Sequence, residues 1–176
     1  MDSLIKFGFL SEQQRMIYGA RTCPYCGGEV KSIPAQKFYT HIHYDGMDGR
    51  VVYVCKNRPK GCDSYVGSHE GGEPLGSLAN RETRLLRKMA HTAFDKLWRS
   101  KDESRTLFSS RNIAYRWLSS QLGTAIPHTH IAWFNKENCL KTIYLSMKAY
   151  KLFFENGRRR FKHLPERIRN KIINYR

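Results

Sequence analysis

No stretch of this 176-residue chain approaches the roughly 18 consecutive apolar residues of a membrane span, so no transmembrane helix is expected. The opening MDSLIKFGFLSEQQRMIYGA also lacks a basic patch followed by a sustained apolar core, the pattern of a secretory signal. Paired carboxylates in a catalytic arrangement, a glycine-rich phosphate loop and an HExxH string are missing as well. Catalysis is therefore the weakest of the functional readings, although His69, His91, His128 and His130 leave room for a meeting with Asp63 or Asp95 in space. Acidic residues are scarce: 15 Asp and Glu stand against 31 Lys and Arg, for a formal net charge of +16. Cysteine is scarcer still, with five in the whole chain, and four of the five fall in a pattern.

Those four are Cys23 and Cys26 in CPYCGG, and Cys55 and Cys62 in VYVCKNRPKGCDSYVG. A CxxC pair on a tight turn places two thiolates at about 2.3 Å from one tetrahedral zinc ion. Gly27 and Gly28 let the chain turn its amides toward the sulfurs, while Pro24 stiffens the loop. The second pair is spaced more widely and is a weak signal alone. Its position strengthens it, because Val51, Val52, Tyr53 and Val54 lead into Cys55 as a strand and Tyr65 and Val66 follow Cys62. One structural zinc ion in a four-cysteine ribbon is the reading; a disulfide pair or four unrelated core thiols is the alternative. With four thiolates bound, no open position remains for an activated water. Cys139 lies in a helical pattern and reads as a small buried hydrophobe.

The positive charge is uneven. Residues 1–80 hold 9 basic and 8 acidic residues, whereas residues 81–176 hold 22 basic and 7 acidic. A field of that size attracts polyanions and speeds their encounter, so nucleic acid, DNA or RNA, is the expected partner. A solvated basic surface, or one that meets an acidic protein, is the blander account.

Along the chain, residues 1–21 form a helical lead-in, with Ser11 and Gln14 at capping-box spacing and Gly19 as a stop. Residues 22–67 form the ribbon, in which Lys37–Tyr44 is expected as one strand, DGMDG at 45–49 as the turn and Arg50–Cys55 as the return strand. On that hairpin His41 and His43 would alternate on one face. Residues 68–80, rich in glycine, read as a linker ending in the cap Asn80, and residues 81–156 as a helical domain. Its first helix, over Arg81–Arg99, carries the stripe Leu85, Leu86, Met89, Ala93, Phe94, Leu97 and Trp98. A second starts at Ser109 or Ser110, buries Ile113, Tyr115, Trp117, Leu118 and Leu122, and ends at Gly123. A third runs from Lys136 after Asn135 to Asn156, with Leu140, Ile143, Tyr144, Met147, Tyr150 and Phe154 on one side. Residues 157–176 are a basic extension with a short helix beginning near Pro165.

CPYCGG, VYVCKN, CDSYVGSH, PLGSLANRETRLLRKMAHTAFDKLW, AYRWLSSQLG and HIAWFNKENCLKTI, in that order over residues 22–147, resemble an uncharacterised zinc-ribbon family of bacteriophages and bacterial mobile elements. The resemblance implies that Cys23, Cys26, Cys55 and Cys62 are the metal ligands and that ribbon and helices form one unit. It carries no biochemical role. The chain departs from the family pattern in the long loop between Cys55 and Cys62, and in Ser68, where some relatives have a cysteine before the histidine.

The expected fold is α+β: an N-terminal four-cysteine zinc ribbon packed on an α-helical domain, with a basic C-terminal extension. The expected phosphate contacts are Arg84, Arg87 and Lys88 on one helix face, and Arg158, Arg159, Arg160, Lys162, Arg167, Arg169 and Lys171 in the extension. Tyr25, Phe38, Tyr39, Tyr44, Tyr53 and Tyr65 are candidates to stack on unpaired bases, with half of them needed as core. The second reading is an interaction module docking on host or phage proteins of transcription, replication or defence. Its sign would be an exposed apolar patch around Trp133 and Phe134. A cytoplasmic location, in a bacterium or infected host cell, suits free thiolates and zinc.

Overall fold

In a computed structural model, the chain is described at residues 10–41, 46–99 and 106–153. Its helices are α1 (Glu12–Tyr18), the single turn α2 (Ala35–Phe38), α3 (Arg81–Asp95), α4 (Arg111–Leu122) and α5 (Lys136–Phe153). Three strands, β1 (Val30–Pro34), β2 (Val51–Cys55) and β3 (Tyr65–Gly67), complete an α+β fold. Two compact units, residues 1–84 and 85–176, divide the chain within α3. None of the described helices is long and apolar enough to cross a membrane.

The first unit is built on β2. Its β-branched residues alternate between two faces of an antiparallel sheet of order β1-β2-β3, with Val30 opposite Cys55, Pro34 opposite Val51 and Val54 opposite Tyr65. Val52 and Val54 point to one side, where they bury against Ala35 and Met47. Tyr53 and Cys55 belong to the other side, with Ala20, Cys23 and Leu78.

Two expectations about the first unit are corrected here. The partner of β2 is Val30–Pro34, upstream of the expected Lys37–Tyr44, and Ala35–Phe38 is a helical turn. Pro34 closes the strand because it offers no ladder N–H, and the amide of Ala35 then bonds the carbonyl of Arg50 at 3.0 Å. Phe38 and Tyr39 pack on each other and on Tyr65 instead of entering the sheet, with centroids 4.9 to 6.5 Å apart. His41 accordingly lies outside any strand and is exposed. His43, Tyr44 and Asp45 lie outside the described residues.

The second correction concerns 68–80, which is not a free linker. Ser68 bridges Pro74, Ala79 bridges Tyr65, and Leu78 is fully buried beside the cysteines. Ser68 itself is buried and accepts a hydrogen bond from the Val51 amide at 2.9 Å, so its hydroxyl holds backbone together.

The second unit is helical. Ser110 caps α4 by accepting from Ile113 N, Gly123 ends it in the left-handed region, and Asn135 Oδ1 accepts from Asn138 N at the start of α5. Phe94, Leu97, Leu118, Ile131 and Ile143 are fully buried, with Cys139 among them; burial pushes that thiol up to about 12. Leu85 and Ile113, expected inside, are exposed, because each lies at the edge of a stripe whose centre already fills the core.

Candidate metal centre

Two turns bring four sulfurs together. In the first, the amide of Gly27 bonds the carbonyl of Cys23 at 3.0 Å, and the amide of Cys23 bonds the carbonyl of Gly28 at 2.9 Å. Gly27 sits at φ 67°, where a side chain would be strained. In the second, the chain leaves β2 at Cys55, makes a 3-10 turn over Arg58–Lys60, and returns at Cys62. Gly61 at φ 94° reverses it, so the long spacing adds only a solvent-exposed turn.

The four ligand atoms lie within 4.8 Å of one another, the one such group of three or more His, Cys, Asp or Glu among the described residues. Cys23 and Cys62 sulfurs are 3.7 Å apart and those of Cys26 and Cys55 are 3.4 Å apart. A tetrahedron with zinc–sulfur bonds of about 2.3 Å has edges of roughly 3.8 Å, so the cage fits zinc.

Two further side chains complete the cage, and both were missed in the sequence. Asn57 donates from its backbone N to Cys55 Sγ and from its side-chain Nδ2 to Cys26 Sγ, each at 3.4 Å. Ser64 Oγ sits 3.0 Å from Cys23 Sγ and 3.1 Å from Cys62 Sγ, so its one proton serves either sulfur. Each follows a cysteine by two residues, KN after Cys55 and DS after Cys62, which is the signal available in the sequence.

The environments of the thiols differ. The Asn57 carboxamide, with the Gly28 amide, holds exposed Cys26 down at about 6. Burial pushes Cys55 up to about 12 and raises Cys23 against the opposing bond from Ser64. Without a cation the buried pair stays protonated; zinc would supply the charge that ionises them, so uptake releases protons.

Of the expected phosphate contacts, only three fall among the described residues. Arg84 lies over the Tyr65 ring at 3.8 Å, donates to the Asp63 and Ala79 carbonyls and pairs with the Asp63 carboxylate at 3.4 Å. Arg87 donates from Nε to the Phe134 carbonyl at 2.9 Å. Lys88 is exposed. Arg158, Arg159, Arg160, Lys162, Arg167, Arg169 and Lys171 lie outside the described residues. Among the candidate stacking residues, Tyr25 is exposed with its hydroxyl on Thr83, and Tyr53 donates to the Gly72 carbonyl.

The four-cysteine cage on a small antiparallel sheet defines a zinc ribbon with one structural zinc site. Residues 19–149 match a family described as a zinc-finger-containing domain, and the chain belongs to that family. No curated protein and no solved structure matches it.

Proposed function

We propose that this is a zinc-stabilised nucleic-acid-binding protein, in which the ribbon is a rigid scaffold and the basic half supplies phosphate contacts. The observation that carries this reading is charge segregation. Among the described residues from 85 onward there are 10 Lys and Arg and 2 Asp and Glu, and the extension beyond 156 adds eight more cations and one Glu. A cation surplus of that size, concentrated in one half, is the footprint of polyanion binding. Arg84 and Arg87 spend hydrogen bonds inside the fold, so the phosphate contacts fall to Lys88, to exposed Arg111, Arg116, Lys148 and Lys151, and to the extension. Origin in a bacteriophage or bacterial mobile element, and a cytoplasmic site of action, belong to the same proposal.

The test is binding of zinc-loaded protein to single- and double-stranded DNA and RNA over a salt series. The expected log–log slope is about −0.9 per phosphate neutralised on duplex DNA and about −0.7 on single strands. Arg158→Ala/Arg159→Ala/Arg160→Ala should make the slope shallower and leave zinc content unchanged. Weak, salt-insensitive binding to all four ligands overturns the reading in favour of a protein partner. That alternative has no specific support at Trp133 and Phe134, since Phe134 is buried and Trp133 half-buried.

A further inference from the structure

An open cleft of about 670 Å³ lies on the first unit, between the end of α1, the Tyr53 face of the sheet and the loop 71–74. Its size falls in the roughly 300–1,000 Å³ range of small-ligand sites. The zinc cage does not use it.

Tyr53 forms part of the wall and is held still, because its hydroxyl donates to the Gly72 carbonyl at 2.7 Å. Ser32 stands opposite Tyr53 in the β1–β2 register and also lines the cleft. The remaining walls are small or apolar: Gly19, Ala20, Gly71 and Gly72, with Val30 and Pro74, leave a space suited to a flat ligand. Ala20 is the one non-glycine residue with positive φ among the described residues, at 54°, and is nearly fully buried. That strained turn brings Arg21 to the cleft, with the Arg21 amide bonded to the Met16 carbonyl at 2.9 Å. From the loop comes Glu73. The side chains of Arg21, Ser32 and Glu73 have no partner among the described residues, and Arg21 and Glu73 do not pair with each other.

An immobilised aromatic ring, small and apolar walls, a free guanidinium and a free carboxylate together suit a ligand that is flat, anionic at one end and rich in N–H donors at the other. We propose that the cleft takes one unpaired nucleobase of a single strand, stacked on Tyr53, with Arg21 on the adjoining phosphate and Glu73 accepting from the base's exocyclic amino group. The inference rests on the nucleic-acid reading and adds to it strand state and base preference. A duplex is excluded by this chemistry, because its bases offer neither a free face nor a free Watson–Crick edge.

The experiment uses the full zinc-loaded chain and fluorescein-labelled oligocytidine and oligothymidine DNA of equal length, with a duplex of the same length, in anisotropy titrations. The expected result is tighter binding of single strand than duplex, and of cytidine than thymidine, which has no exocyclic amino group. Glu73→Ala should erase the cytidine preference while leaving thymidine affinity in place. Arg21→Ala should weaken both strands alike. Tyr53→Leu should lose roughly tenfold or more, from the worth of one stacked base. Tyr53 packs beside the cysteines, so zinc content is measured for that variant; if it fails to fold, the exposed Arg21 and Glu73 variants decide the matter. Equal, salt-dependent binding of duplex and single strand, with all variants like wild type, overturns the cleft and spares the basic surface. No binding to any ligand at low salt overturns both.

Discussion

Gly28 has no room for a side chain, and the reason links backbone to metal. A Cβ built there would lie 2.5 Å from Asn57 Nδ2, 3.1 Å from Asn57 Cγ and 3.3 Å from Cys26 Sγ. The atom that can give way is the end of a flexible side chain, so Gly28→Ala should displace the Asn57 carboxamide and break its 3.4 Å bond to Cys26 Sγ. Loss of such a hydrogen bond to a metal ligand lowers metal affinity by roughly 10–100-fold, and the exposure of Cys26 places the effect near tenfold. Asn57→Ala should do the same by removing the donor. Because both changes delete one bond, the double variant should be little worse than either alone, a non-additive cycle. The assay is zinc competition against a chromophoric chelator at fixed pH. The same carboxamide keeps the Cys26 thiol near 6, so both variants should lose more affinity at about pH 7 than at about pH 9, where a restored thiol would ionise without help. Additive losses, or a Gly28→Ala protein with wild-type affinity, would refute the route through Asn57.

Chelation of zinc, or Cys26→Ser, should remove hydrogen-exchange protection from residues 22–80, since Leu78 packs in the same cluster as Cys23 and Cys55; persistence of that protection without metal would disprove a structural zinc. Phe94→Ala empties a fully buried ring position that packs on Tyr115 at 4.7 Å, and should cost the helical unit about 3–5 kcal/mol in denaturant unfolding; a loss below about 1 kcal/mol would contradict the packing described. His91 should make the helical unit acid-sensitive. Burial, aided by the Arg111 and Arg87 charges and opposed by Asp95, holds its imidazole below the ordinary 6.5. The unfolded chain therefore binds the extra proton first, so this stabilisation is complete above about pH 6.5 and falls away as pH drops through the lowered value. Urea midpoints at about pH 7.5 and 5.5 should differ more for wild type than for His91→Gln, and equal differences would remove His91 from the account.

What the sequence made legible follows from how local each signal is. Caps and stops were readable because a Ser, Asn or Gly acts on amides three or four residues away, as at Ser110, Asn135 and Gly123. The thiolate cage was readable too, since the CxxC turn with its glycines and the strand residues beside Cys55 and Cys62 mark each ligand from its own neighbours. The first strand was misplaced because Phe38 and Tyr39 have strand-forming side chains, yet they satisfy them by stacking on Tyr65, a contact 26 or more residues away in sequence. Glycine content made 68–80 look free, whereas backbone bridges to β3 need no side chain and leave no compositional trace.

The proposed phosphate face was the least legible for a related reason. Arg84, Arg87 and Lys88 share a helix and a charge, but the first meets the Asp63 carbonyl and the Tyr65 ring, and the second meets the Phe134 carbonyl. A guanidinium carries enough donors to cap a carbonyl and still show charge at the surface, so spacing alone does not separate a structural arginine from a binding one. The separation is measurable. Arg84→Lys cannot reproduce a planar cation over Tyr65 with bonds to two carbonyls, and should lower the stability of the zinc unit while changing polyanion affinity little. Lys88→Ala touches no such network, and should weaken polyanion binding by the share of one phosphate contact while leaving unfolding unchanged. If the two variants exchanged these effects, the assignment of Arg84 to the fold and of Lys88 to the partner would be reversed.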